Sequence, residues 1–231
     1  MQEILNFLGL NATSAAQIGY GCLETLYMTA VSTVLSYLLG IPLGIALVLT
    51  DRKGLRPMPR LYRFLDLVTN IARSIPFLIL LILVIPFTAF IVGKSYGSTA
   101  TIVPLVLSAA PFVARMVESS LGEVSSGVIE AAQSMGASLG QIVFKVMLPE
   151  ARTSLLVGAT ISSCTILGYS AMAGVVAGGG LGAIAINYGY YRYQFGIMAI
   201  TVVLLVAIVQ IMQYVGMYIA HRLDHRLSQG R

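Results

Sequence analysis

Charge is scarce in this 231-residue chain: Lys, Arg, Asp and Glu make up 10% of it, against 57% hydrophobic residues. A soluble domain carries about 25% charged residues. That shortage excludes an ordinary water-facing surface, and a mean hydropathy of +0.87 calls for lipid around the chain. Cysteine is almost as rare. Cys22 and Cys164 lie in or beside apolar stretches, outside any CxxC or Cys/His grouping. Neither a disulfide nor a metal site is predicted from them. No Lys or Arg precedes Arg52, so the basic start of a cleavable leader is missing. Catalytic signatures are missing as well. Gly93-Lys94-Ser95 has the ending of a phosphate loop, but Thr88 stands where that loop needs glycine. No carboxylate pair is set for acid–base work, and no serine or cysteine nucleophile has a base.

What is present is a series of long apolar runs. Five spans are predicted, at about 23–50, 75–92, 99–121, 153–177 and 195–220, since a crossing takes about 20 residues. They make one all-α polytopic domain over 1–231. Gly19-Tyr20-Gly21 reads as a turn before the first span, with Glu24 at the interface. Gly40, Pro42 and Gly44 fall inside that span, where neighbouring helices make up for them. Arg73 opens the second run and should face protein, water or headgroups. Arg115 and Glu118, three apart, predict an ion pair within one helix. In the fourth run Ser162, Thr165, Tyr169 and Met172 share a helical stripe. The stripe fits a permeation path or helix packing by small polar residues. Glycines from Gly174 to Gly182 predict that this span ends, followed by a short re-entrant piece at about 181–187. His221 and His225, four apart, have no third ligand in sight and read as a solvated tail. Asn11-Ala12-Thr13 fits a glycosylation sequon by chance.

Basic residues are placed unevenly. Five lie between Arg52 and Arg63, two between Glu123 and Arg152, and three in the tail, against Lys94 and Arg192 alone in the other loops. The positive-inside rule then puts the N-terminus outside and the C-terminus in the cytoplasm. This placement, beside spans, argues against nucleic acid as the partner of a net charge of +5.

One polar stretch, Glu130 to Pro149, stands between the spans on that basic side. Glu130-Ala131-Ala132 favours helix, and Gly136 interrupts it. A second helix is predicted from about Ser138 to Met147. Its apolar face would be Leu139, Ile142, Val143 and Val146, at i, i+3, i+4 and i+7. Pro149 is expected to stop it. Such a helix fits either an interfacial helix on lipid or a plug in a soluble cytoplasmic partner.

Glu130-Ala131-Ala132, three residues, Gly136, nine residues, Val146, one residue and Leu148-Pro149 resemble the EAA motif of ABC importer permeases. Val146 replaces the family's Ile and is the one departure. The resemblance implies a type I importer permease fold, with this segment as a coupling helix docked on a separate ATPase subunit. Within that family, Asn70 to Phe77, Ala109 to Glu118 and Gly168 to Met172 resemble the methionine-uptake permeases. That likeness implies a homodimer, two ATP-binding subunits that carry ATP and Mg²⁺, and an extracytoplasmic binding protein. The setting would be a bacterial inner membrane. The implied cargo is methionine, L and possibly D, moved by alternating access, with no catalysis and no cofactor on this chain. A permease for another small polar solute is the rival. A secondary transporter fits less well, because Arg73, Arg115 and Glu118 all lie toward span ends.

Overall fold

The computed structural model describes residues 12–223; the sequon's Asn11, His225 and the rest of the tail lie outside them. Among the described residues the structure is helical with no strand. Helices α1 (Ala12–Thr50), α5 (Ser98–Gly122), α9 (Arg152–Met172) and α11 (Phe195–Arg222) are the long ones. Among the described residues four helices are long and apolar enough to cross a membrane. A fifth crossing is counted if α2 (Pro59–Ser74) and α3 (Phe77–Leu83) form one broken span. The apolar run at 75–92 is therefore not one helix. It is α3 and α4 (Ile85–Val92), which meet at Val84.

Helix α1 begins at Ala12 rather than Leu23 and passes through Gly19-Tyr20-Gly21 without a turn. Small residues suit close packing here. A Cβ on Gly21 would strike the Ile184 side chain at 2.5 Å. Glycine at this point is set by a neighbour, and not by a need to turn.

The chain forms two compact units, each contributed to by the long helices. One takes the chain up to Leu35, Ile75–Ala109 and Ser163–Met212. Its core packs Met28, Phe77, Leu81, Leu105, Ala109, Ile166 and Ala173. Helix α9 ends in a 3₁₀ turn, Ala173–Val176, and Ala177 adopts a left-handed conformation. The chain then turns through Gly179 into α10 (Gly180–Ile184), which runs on as a π-helix over Ala185–Tyr190. The piece foreseen at 181–187 is thus helical. Glu24 and Thr25 of α1 cap it: Glu24 Oε2 accepts the Gly180 N–H at 2.8 Å, and Thr25 Oγ1 accepts the Leu181 N–H at 2.9 Å. Free N–H groups at a helix start need such acceptors. Glu24 is a cap and not a free interfacial charge.

The second unit takes Ser36–Ser74, Ala110–Ser162 and the chain from Gln213. Its core joins Val113, Val117 and Leu121 of α5 to Ile142, Val143, Met147 and Ala151. Helices α1 and α5 approach closely, since a Cβ on Gly44 would sit 2.7 Å from that of Val117.

Candidate functional site

The polar stretch after α5 folds as two helical pieces. Helix α6 (Ser126–Ser134) contains Glu130, Ala131 and Ala132, of which only Ala132 is buried. It ends in a double hydrogen-bonded turn. Gly136 donates to the Gln133 carbonyl at 2.9 Å and Ala137 to the Ala132 carbonyl at 3.1 Å. This is a Schellman ending, whose left-handed residue is usually glycine. Gly136 has φ +77°. Nothing lies within 4 Å of where its Cβ would be, so the backbone conformation alone calls for glycine. The four-residue step from Ala132 to Gly136 is the spacing of a helix end.

Ser138 then caps α7 (Leu139–Gln141) through a capping box. Ser138 N–H donates to Gln141 Oε1 at 2.8 Å, and Gln141 N–H donates to Ser138 Oγ at 3.4 Å. The next turn is not α-helical. Ile142–Met147 is a π-helix, and its wider turn shifts which side chains share a face. Ile142, Val143 and Met147 are buried, while Val146 and Leu148 are half-buried. Leu139, foreseen on the apolar face, is 39% exposed. Pro149 does not stop the helix either. It sits in α8 (Leu148–Glu150), near a helix start where its missing N–H costs little.

These placements correct the expected apolar face. Ile142 and Val143 fill this chain's own core and are not open to a partner. Two other large apolar side chains are open: Met135 is 82% exposed and Phe144 67%. Sequence reasoning missed both. A phenylalanine set off the i, i+3, i+4 row was the available signal. The exposed surface of the segment thus includes Glu130, Ala131, Met135, Gly136, Ser138, Leu139, Phe144, Lys145 and Pro149. Beside it opens a cavity of about 620 Å³, lined in part by Asp51, Lys53, Glu118, Glu130, Gln133 and Met147.

Close by is a cluster of charged side chains. The expected Arg115–Glu118 pair forms at 2.6 Å. Asp66 of α2 joins it, also bound to Arg115. Asn70 Oδ1 accepts from Arg115 at 2.9 Å, and the Tyr62 hydroxyl donates to Glu118 at 3.4 Å. One guanidinium thus serves two carboxylates and ties α2 to α5. Arg73, foreseen as an interfacial anchor, lies 5.8 Å from the Phe112 ring centre, within cation–π range.

The stripe on α9 is divided. Ser162 is fully buried; its hydroxyl donates to the Gly158 carbonyl at 2.8 Å and lies 3.4 Å from the Tyr37 hydroxyl. In this structure it packs within the chain. Thr165 is half-buried. Tyr169 stacks on Phe77 with ring centres 4.7 Å apart. Met172 is exposed, with Gly168 and Val175 on the same open face. Among the described residues no group of three His, Cys, Asp or Glu side chains is placed to hold a metal ion.

Residues 36–229 match the model of the binding-protein-dependent transport system inner membrane component family. The chain belongs to that family. It is 52% identical over 203 residues to a probable D-methionine transport system permease protein MetI of Vibrio cholerae, covering 88% of this chain and 90% of that one. It is 51% identical over 154 residues to the D-methionine transport system permease protein MetI of Escherichia coli, covering 67% and 71%. A solved structure of the MetNI methionine ABC transporter, in an inward-facing conformation, superposes with a TM-score of 0.92 at 45% identity. That match covers 94% of this chain and all of that one. An amino acid ABC transporter solved with histidines has a TM-score of 0.74 at 18% identity, over 90% of this chain and 94% of that one, and shares the fold. The family's type I importer permease fold is the fold of this chain, a multi-pass protein of the inner membrane.

Proposed function

We propose that this chain is the membrane permease of an ATP-driven methionine importer. The reading rests on one observation above others: near-complete coverage of a methionine transporter's permease at 45% identity with the same fold. Two copies form the pathway. Two separate ATP-binding subunits hold ATP and Mg²⁺ and do the hydrolysis, so this chain is no enzyme. A binding protein on the outer side delivers cargo to a pathway whose N-terminus lies outside and C-terminus inside.

The segment from Glu130 to Pro149 is the coupling element. Its docking surface is Glu130, Met135, Leu139 and Phe144, apolar side chains with a carboxylate beside them. Ala132, Ile142, Val143 and Val146 act from behind by holding that surface to α5. Gly136 and Ser138 set the turn between the two pieces. Closure of the ATP-binding subunits moves the segment, and α9 carries the motion into the membrane. Thr165, Tyr169 and Met172 lie along that helix toward the pathway. Tyr169 leaves or keeps its stack on Phe77 as the pathway opens or closes.

Uptake of labelled methionine by the reconstituted complex tests the cargo. Competition by excess L- or D-methionine is expected. Uptake that methionine leaves untouched but another amino acid blocks would give the permease a different cargo. Uptake by this chain alone, without ATP-binding subunits, would make it a secondary transporter.

A further inference from the structure

Helix α2 is amphipathic, but it packs by its polar side. Tyr62, Asp66 and Asn70 reach Glu118 and Arg115, and Thr69 is buried. The opposite face is open and apolar: Phe64, Leu67, Val68 and Ile71 are all exposed. Arg60 stands one turn before Phe64 on that open face, with Arg63 at its edge, and both are exposed. The open face carries no carboxylate, because Asp66, the one acid of this helix, is bound to Arg115.

We propose that this face binds an anionic phospholipid. Arg60 and Arg63 hold the phosphate, and the acyl chains lie along Phe64, Leu67, Val68 and Ile71. A helix with a large apolar face and a basic margin is the kind that associates with anionic lipid. More positive charge comes from Arg52, Lys53 and Arg56 in the preceding loop. The Arg56 N–H donates to the Leu49 carbonyl at 3.0 Å and folds that loop onto the end of α1. A second copy of this chain suits the face less well, since it would bring arginine with no acid to receive it. The proposal rests on the chain being a membrane permease and not on its cargo.

Native mass spectrometry of the permease purified with its ATP-binding subunit tests it. Phosphatidylglycerol and phosphatidylcholine are titrated in separately. Phosphatidylglycerol is expected to be retained in preference, and less so as salt rises. Each arginine near a charged surface contributes about fivefold. R60Q/R63Q should therefore lose phosphatidylglycerol by roughly twenty-five-fold, while R60K/R63K keeps most of it. Equal retention of the two lipids, or unchanged retention by R60Q/R63Q, would overturn the proposal. So would full displacement by inorganic phosphate alone, or efficient disulfide cross-linking of Leu67→Cys between two copies in a background free of Cys22 and Cys164. Because lipid retention is read without transport, its failure is separable from failure of the cargo assignment.

Discussion

Ala137 N–H donates to the carbonyl of Ala132 at 3.1 Å, closing the turn that Gly136 makes possible. The left-handed backbone at Gly136 costs most residues with a Cβ about 1–2 kcal/mol. Gly136→Ala should therefore loosen the turn without a clash, since open space surrounds the position. Transport is expected to fall several-fold while the folded permease still assembles in the membrane. Hydrogen exchange in residues 130–150 would report the loosening. Unchanged exchange and unchanged uptake would count against a constraint at this turn.

Phe144 and Ile142 are close in sequence yet separate in consequence. Phe144→Ala removes an exposed ring, so the permease alone should melt as before while its retention of the ATP-binding subunit drops. Ile142→Ala empties a buried site and should cost about 2–4 kcal/mol of stability. Thermal melts and co-purification of the two variants separate the effects. A Phe144→Ala complex that holds together as well as the parent would remove Phe144 from the docking surface.

Arg115 serves two carboxylates, so its loss should hurt more than the loss of either acid. Arg115→Gln leaves Asp66 and Glu118 close together without a cation, whereas Asp66→Asn leaves Glu118 to pair with Arg115. A double-mutant cycle between positions 66 and 115 should give a coupling energy of about 1–3 kcal/mol. Additive effects would mean that the contact does not hold α2 to α5.

Gly44 sits where two helix backbones nearly touch. Gly44→Ala must push the Val117 side chain or α5 itself aside, and overpacking of this kind costs about 1–3 kcal/mol. Lower yield and a lower melting temperature are expected. Gly93→Ala has open space around it, so its effect should come from backbone strain alone and be smaller.

Much of this protein was legible from run length and spacing. Four of the apolar runs are single long helices, because lipid satisfies no backbone hydrogen bond, while the run at 75–92 is broken at Val84. The EAA segment was legible by its resemblance to the family's motif, and part of that spacing is the geometry of a helix end, which Ala132, Gly136 and Ala137 occupy. On the next helix Ile142, Val143 and Val146 were legible as the packed face, but Met147 in place of Leu139 was not, because the π-helix at Ile142–Met147 leaves no mark in hydrophobic periodicity. Asp66 and Arg115 lie 49 residues apart; a contact at that separation has no local signature. The start of α1 was hidden by Gly19 and Gly21, which read as turn residues; Gly21 serves close packing, and Gly19 lies in open space within the helix. The stripe through Ser162 fits a path or helix packing alike, and the contacts Ser162 makes, to the Gly158 carbonyl and near the Tyr37 hydroxyl, lie too far apart or too local to show in spacing.

The passage from the Glu130–Pro149 segment into α9 narrows to a single joint. Ala151 N–H donates to the Met147 carbonyl at 2.9 Å, and Leu155 N–H to the Ala151 carbonyl at 2.9 Å, so backbone bonding continues past Pro149. Ala151 itself, at φ −82° and ψ 1°, is a turn between α8 and α9. A push on the exposed Phe144 end would be shared between flexing at that one residue and movement of α9, and a stiffer residue there would shift the share toward the helix.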